Sequence, residues 1–303
     1  MAFFDEVQAG IRQVAGSAGS SVVGIGQRWG IGSGIVLAEG QVLTNAHNVR
    51  GETVTVTFAD GRTAEGRVAG QDIDGDLAVI EVDTGGAPAL RWASTPAAGV
   101  GTPVFALSNP GGRGLRVTFG FVSGVDRSFR GPRGRRIAGS VEHTAPLLPG
   151  SSGGPVLDAG GQLLGINTNR LGEGFYLAIP ADQALRDRAG ALGKGESATA
   201  PRLGVGIAPG HVARRLRRAV GLPETEGLLI REVAEGSPAA AAGITPGDLL
   251  VAAAGQPLRT IDDLFDALSG ARGGTLELQV VRGTDERTIT VSFTDGGEQA
   301  QEV

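Results

Sequence analysis

What most constrains this chain is its punctuation. From Ser21 to Pro180, short β-prone runs alternate with clusters of Gly, Asp and Asn. They read SVVGIG, GSGIVLAEGQVLTNA, ETVTVTFADG, DLAVIEVD, TPVFALS, LRVTFGFVSGV, LLGINTN and FYLAIP. Strands that recur at this spacing, with turn residues between them, build an all-β barrel or sandwich. Glycine supplies the turns. It accounts for 52 of 303 residues, more than twice its usual ~7%, and shows no collagen-like period.

Helical signals frame this region. Phe4, Val7, Ile11 and Val14 are spaced 3, 4 and 3 apart, which predicts a short amphipathic helix at the start. Pro180 opens a second helical stretch, PADQALRDRAGAL, after which GKGESATAP reads as a linker. Beyond it the pattern mixes types. HVARRLRRAVGL and the Ala-rich SPAAAAGI read as helices, and Thr260 with Asp263 forms a capping-box pattern. That box precedes the stripe Ile261, Leu264, Phe265 and Leu268, which is expected to serve mainly as core. TLELQVVRG and RTITVSF form a hairpin-like pair. The expected organisation is an N-terminal segment with an oligomerisation helix (1–19), a β-rich domain (20–192), a linker (193–200), an α+β domain (201–295) and a polar tail (296–303).

Composition excludes several classes. Lys plus Arg is 27 and Asp plus Glu is 32, a net charge of −5, without the basic excess of a nucleic-acid surface. No cysteine is present, so disulfides, thiolate catalysis and Cys–zinc sites are all excluded. No run approaches 18 apolar residues, so no membrane span is expected. Asp5 and Glu6 stand where a signal peptide would be basic. The expected location is cytoplasmic, or periplasmic or extracellular if an export signal has been removed. A nucleotide-binding enzyme is disfavoured, because no G-x-x-x-x-G-K-[ST] occurs and strand–helix alternation is missing from the β-rich part.

The chemistry concentrates in three blocks: His47 in VLTNAHNVRG, Asp76 in QDIDGDLAVIEV and Ser152 in PGSSGGPVLD. A serine hydroxyl is a weak nucleophile unless a neutral imidazole takes its proton. The imidazole in turn needs a carboxylate to fix its tautomer. The chain order His, Asp, Ser on a β-rich domain is that of chymotrypsin-like proteases. Gly150, Gly153 and Gly154 permit a tight turn, and Gly150, Ser151 and Ser152 are the candidate oxyanion hole, with the amides of Gly150 and Ser152 aimed at one oxygen. Asp72 and Asp74 rival Asp76, but only Asp76 abuts the apolar strand; Ser151 is the alternative nucleophile. His143 and His211 lack such a context and read as surface or packing residues.

TNAH, DLAVI and GSSGGP resemble the three catalytic blocks of the HtrA/Deg family of serine proteases. SNPGGRG with VTFGFVSGV, and GFYLAIP, resemble further segments of that family, so the likeness covers roughly residues 20 to 190. It implies a mainly β fold, a chymotrypsin-like double β-barrel, with base His47, orienting acid Asp76 and nucleophile Ser152. Two departures stand out: Ser151 replaces the family's usual Asn, and Asn48 looks like an extra residue in the AHVV pattern. Pro146, Leu147 and Leu148 offer no charge to a substrate, which favours a small aliphatic P1 residue. The segment DRSFRGPRGRR (126–136), with Arg127, Arg130, Arg133, Arg135 and Arg136, is either a solvated flexible loop or, by resemblance, a regulatory sensor.

AEGSPAAAAGITPGDLLVAAAGQPL resembles the signature of a PDZ domain, an α+β module. Such domains bind by strand addition, with the peptide's C-terminal carboxylate on exposed backbone amides. The matching positions are Arg202, Leu203, Gly204, Val205, Gly206 and Ile207. The resemblance implies an ATP-independent endopeptidase that degrades unfolded or misfolded proteins and is regulated or fed by its PDZ domain. Its partners would be unfolded polypeptides and C-terminal peptides, with no nucleic acid. No cofactor or metal is expected, and a homo-oligomer, a trimer, is. The alternative from another class is a peptide-binding chaperone or scaffold whose protease-like domain is inactive or rests inactive.

Overall fold

The structure, a computed structural model, describes residues 2–26, 31–93, 99–131, 136–170, 174–196, 201–271 and 274–293. The chain divides into two compact units, Met1–Ala198 and Thr199–Val303. The expected tail, 296–303, lies outside the described residues.

In the first unit, helix α1 (Ala2–Ala18) precedes six strands: β1 (Val22–Ile25), β2 (Gly32–Ala38), β3 (Gln41–Thr44), β4 (Thr53–Thr57), β5 (Thr63–Asp72) and β6 (Leu77–Glu81). They close in the order β1-β2-β3-β6-β5-β4. A second closed barrel, β10-β11-β12-β9-β8-β7, uses β7 (Pro103–Ser108), β8 (Arg116–Arg130), β9 (Arg136–His143), β10 (Pro155–Leu157), β11 (Leu163–Arg170) and β12 (Tyr176–Pro180). Helix α2 (Gln183–Gly193) follows, capped by Asp182, whose carboxylate accepts from the Leu185 amide. Such a cap is worth about 1 kcal/mol. This is the mainly β, chymotrypsin-like double barrel that the strand spacing and the resemblance anticipate.

The two-residue side-chain period divides the packing. β7 sends Phe105 and Leu107 into a large cluster shared by both barrels, and Val104 and Ala106 into a separate one within the second. The shared cluster also takes Ile35, Leu43 and Leu77 from the first barrel and Leu157, Ile166 and Leu177 from the second. Each such side chain stabilises the fold by ~1.5–3 kcal/mol, so the two barrels are held together by one core.

Two expectations change at this level. Helix α1 buries Val14 and Ala18 in the shared cluster, with Ile11 packed alongside, so much of its apolar stripe packs within its own chain; Phe4 is left 74% exposed. The Arg-rich segment is also more than a solvated loop. β8 and β9 pair out to Arg130 and Arg136, and the cross-strand pair Phe129 and Ile137 is buried in the shared cluster. Two apolar residues facing each other there anchor the hairpin. Arg133 and Arg135 lie outside the described residues.

The second unit has β13 (Val205–Ile207), α3 (Gly210–Ala219), β14 (Leu228–Val233), α4 (Pro238–Ala241), β15 (Leu249–Ala253), β16 (Gln256–Pro257), α5 (Ile261–Gly270), β17 (Thr275–Arg282) and β18 (Asp285–Ser292). Its sheet runs β13-β14-β15-β17-β18, with β16 beside β15. Thr260 and Asp263 form the capping box of α5. At the PGD turn, burial pushes the Asp248 pKa up, but the Arg282 guanidinium on both its oxygens, at 2.7 Å each, and the Thr245 amide outweigh that and hold it below the usual carboxylate range.

Candidate active site

The first barrel supplies the candidate base and acid. β3 ends at Thr44, and a single 3-10 turn, Ala46–Asn48, carries His47. Asp76 sits in the turn before β6 with φ +55. A left-handed backbone costs an L-residue about 1–2 kcal/mol, and Asn45 helps hold it by donating its Nδ2–H to the Asp76 carbonyl at 2.9 Å. The result is a carboxylate 2% exposed and aimed at the base. His47 Nδ1 lies 2.8 and 2.9 Å from the two Asp76 oxygens. The His47 amide also donates to Oδ1 at 3.2 Å, and the Thr168 hydroxyl donates to Oδ2 at 2.6 Å. A carboxylate can only accept, so the imidazole proton belongs on Nδ1 and Nε2 is left as the basic nitrogen.

The rival carboxylates have other surroundings. Asp72 takes the Gly75 amide at 2.8 Å and faces the Arg188 guanidinium at 3.4 Å, while Asp74 is buried in the same turn.

The second barrel supplies the candidate nucleophile, on the turn leading into β10. The Ser152 hydroxyl donates to the carbonyl of Thr168 on β11 at 3.1 Å. Thr168 therefore joins the two halves, its hydroxyl on Asp76 and its carbonyl on Ser152. Among the described residues, no hydrogen bond links Ser152 to His47. Gly150 and Gly153 adopt φ of +86 and +87, backbone that favours glycine. A Cβ on Gly153 would lie 2.0 Å from the Ser33 carbonyl oxygen.

Ser151 departs from expectation. It is 3% exposed, its amide donates to the Leu148 carbonyl at 3.1 Å, and its hydroxyl donates to Ser108. Its amide closes a turn and is not available to an oxyanion, nor is its hydroxyl open to substrate. The amides of Gly150 and Ser152 have no partner among the described residues, as donors waiting for an oxyanion must.

His143 is a packing residue, fully buried and stacked on Tyr176 with ring centroids 5.9 Å apart. Burial draws its pKa down to about 4, against the upward pull of its Nε2 hydrogen bond to Asn167 Oδ1. His211 is exposed on α3. Among the described residues no group of three or more His, Cys, Asp or Glu could hold a metal ion.

Thr168, Asn45 and Asn48 were not legible as site residues. Thr168 meets Asp76 across 92 positions of sequence, and no local pattern encodes that meeting. Asn48 does not disturb a strand; it ends the turn that holds His47.

In the second unit, β13 pairs with β14 on one side and is the edge of the sheet. Val205, Gly206 and Ile207 are half-buried on that edge, Arg202 is exposed, and Gly204 has φ +77. Leu203 is 3% exposed in the unit's own core, so its side chain is not a contact offered to a ligand. Leu264 and Leu268 of α5 are core, Phe265 is half-buried, and Ile261 is 37% exposed.

Residues 32–166 match the model of the trypsin-like peptidase domain, and residues 229–282 match that of the PDZ domain. The chain is 35% identical over 279 residues to HhoA of Synechocystis sp. (strain ATCC 27184 / PCC 6803 / Kazusa), which carries a serine-protease name. That alignment covers 86% of this chain and 70% of HhoA. It is 32% identical to a DegP-like protein of Halomonas elongata named as a periplasmic serine endoprotease, over 89% of this chain and 57% of that one. The chain thus spans between 57% and 70% of these relatives' lengths. Among solved structures, the HtrA-type protease AlgW with a decapeptide superposes with a TM-score of 0.72 and 25% identity, covering 93% of this chain and 97% of AlgW.

Proposed function

We propose, on the premise that this chain belongs to the HtrA family of serine proteases, that it is an ATP-independent serine endopeptidase acting on unfolded or misfolded polypeptides through Ser152, His47 and Asp76. The observation that carries the reading is the Asp76 carboxylate on His47 Nδ1, joined through Thr168 to Ser152.

The reaction would run as follows. Ser152 Oγ rotates from the Thr168 carbonyl toward His47 Nε2 and attacks the scissile carbonyl carbon as Nε2 takes its proton. The oxyanion forms against the amides of Gly150 and Ser152. His47 then protonates the leaving amine, and water, activated by the same nitrogen, releases the acyl group from Ser152. The hydroxyl bound to the Thr168 carbonyl specifically favours one refinement, the alternative in which the protease rests inactive until substrate arrives. Digestion of casein by the wild type and not by Ser152→Ala, with fluorophosphonate labelling of the wild type at Ser152, tests the proposal. A wild type that neither labels nor digests would reduce the chain to a peptide-binding scaffold.

The remaining parts of the reading follow from it. The uncharged run Pro146–Leu148 supports a small aliphatic residue at P1. The free edge of β13 supports capture of C-terminal peptides by strand addition along residues 204–207, with Arg202 near the carboxylate. Functional boundaries at 20–192 and 201–295, joined by the linker, agree with this division of labour. Exposed Phe4 on α1 supports assembly into a homotrimer; light scattering on a chain lacking residues 1–15 tests that, and an unchanged mass would exclude this contact. The periplasmic name of the Halomonas relative favours an extracytoplasmic site of action, and the comparisons lend nothing to the cytoplasmic expectation. No described helix is long and apolar enough to cross a membrane.

A further inference from the structure

The turn that carries Ser152 belongs to the second barrel, yet two of its carbonyls are held by side chains of the first. The Ser33 hydroxyl on β2 donates to the Gly150 carbonyl at 2.8 Å and accepts the Asn109 amide at 3.0 Å. The Ser33 amide donates to the Ser152 carbonyl at 2.9 Å, and Asn48 Nδ2 donates to the same oxygen, also at 2.9 Å. Asn48 is steadied by a second bond to Thr44 Oγ1 at 3.0 Å, and that hydroxyl donates to the Ser33 carbonyl at 2.7 Å. Ser33 and Thr44 are fully buried, and Asn48 is 6% exposed.

The local sequence makes room for this arrangement. A Cβ on Gly32 would stand 2.3 Å from Asn48 Cγ, so a side chain at position 32 and the Asn48 amide could not both occupy that space. Both lone pairs of the Ser152 carbonyl are filled by donors of the first barrel. The Ser151 carbonyl takes the Gly154 amide at 3.0 Å. The carbonyl of one residue shares its peptide plane with the amide of the next. The first barrel therefore holds the planes that carry the Ser151 and Gly153 amides. Between them lies the plane of the Ser152 amide, itself held through the Ser151 carbonyl.

We propose that Ser33 and Asn48 are positioning residues for the oxyanion hole: from the opposite barrel they clamp the peptide planes on either side of the Ser152 amide, so that this amide and the adjoining Gly150 amide keep their places relative to His47. Asn48 follows the base directly in the chain, so one 3-10 turn fixes both the proton acceptor and the carbonyl of the nucleophile. The inference rests on the peptidase reading above and adds two residues to it. Neither touches substrate. Their contribution is geometric, and should appear in the transition state and not in substrate binding.

The test uses the full-length protein with Ser33→Ala, Asn48→Val and the conservative Ser33→Thr. Active sites are titrated to completion with a fluorophosphonate, so that rates are counted per competent site and folding losses drop out. Ser33→Ala and Asn48→Val are each expected to lower kcat on labelled casein by about tenfold while KM moves less than about twofold. Affinity for a peptide boronic acid, which takes up the tetrahedral geometry on Ser152, should weaken in the same proportion as kcat/KM. Ser33→Thr, which keeps the hydroxyl, should retain wild-type values. Rates per site and boronate affinity within about twofold of wild type for both Ser33→Ala and Asn48→Val would overturn the clamp. If Ser33→Ala does not fold, Asn48→Val decides alone. A wild type that neither labels nor digests would instead bring down the peptidase reading, and the clamp with it.

Discussion

The surroundings of His47 and of His143 make the most instructive comparison in the molecule, because both histidines lean on neighbouring residues of one strand. On β11, Asn167 Oδ1 accepts a hydrogen bond from His143 Nε2, and Thr168 binds the carboxylate that orients His47. His47 has a buried carboxylate on one nitrogen and a side chain 37% exposed. His143 has a neutral amide, an aromatic neighbour and no exposure at all. The Asn167 amide oxygen favours a protonated His143, but burial outweighs it and keeps that ring neutral, whereas the Asp76 carboxylate fixes the Nδ1–H tautomer of His47. Residue type alone separates nothing here; the partner and the access to solvent do.

The sharpest way to break this contrast is to remove the chemistry. Ser152→Ala or His47→Ala should each lower kcat by roughly 10⁶, since triad members act as a unit. His143→Gln, measured per folded molecule, should stay near wild type. A loss at His143 comparable to that at His47 in steady-state peptide hydrolysis would erase the distinction.

The orienting carboxylate comes next. Asp76→Asn keeps the shape but can present an amide donor to Nδ1 and favour the wrong tautomer, so kcat should fall on the order of 10⁴. Retained activity in that variant would show that the Asp76 charge is dispensable to the base.

A smaller effect appears in stability. His143 has a folded pKa of about 4, below its unfolded value of ~6.5. Between those values the unfolded chain binds more protons than the native one, so stability falls as pH drops through that window and the loss is complete below pH 4. Above pH 6.5 the group contributes nothing to the slope. The full loss is about 3 kcal/mol. Urea unfolding of wild type and His143→Gln at pH 7 and pH 4.5 checks it. Equal slopes in the two proteins would mean that His143 is not held neutral.

The smallest expected change belongs to Thr168, which serves the His47 side alone through its hydroxyl. Thr168→Val removes one of the donors on the Asp76 carboxylate and should lower kcat by about tenfold, with KM nearly unchanged. Progress curves on the same peptide substrate separate the two parameters.

Much of this was legible in the sequence, and the limits have physical causes. The strands were readable because Gly, Asp and Asn interrupt β-branched runs at regular intervals. Asp76 could be preferred over Asp72 and Asp74 because it alone touches the apolar run of β6. The α5 cap at Thr260 is a contact within one turn and was equally plain. What escaped was the pairing of distant segments. Phe129 read as part of an Arg-rich loop because its burial, opposite Ile137, depends on the shared core of two barrels. Asn48 read as a surplus residue because its partner, the Ser152 carbonyl, is 104 positions away. Ser151 looked like an oxyanion donor beside Ser152, and only the turn closing onto Leu148 removed its amide from use.

Gly153 carries a consequence for the sequences this molecule could become. With the Ser33 carbonyl oxygen 2.0 Å and the Thr44 hydroxyl 2.5 Å from where a first side-chain carbon would stand, the nucleophile turn is moulded against the backbone of the opposite barrel. Saturation libraries at that position should return glycine alone among active clones. No compensating change at Ser33 would widen the space, because the obstacle is a carbonyl that every residue possesses. Lineages descending from this chain must therefore inherit the seam between the barrels unaltered at this position.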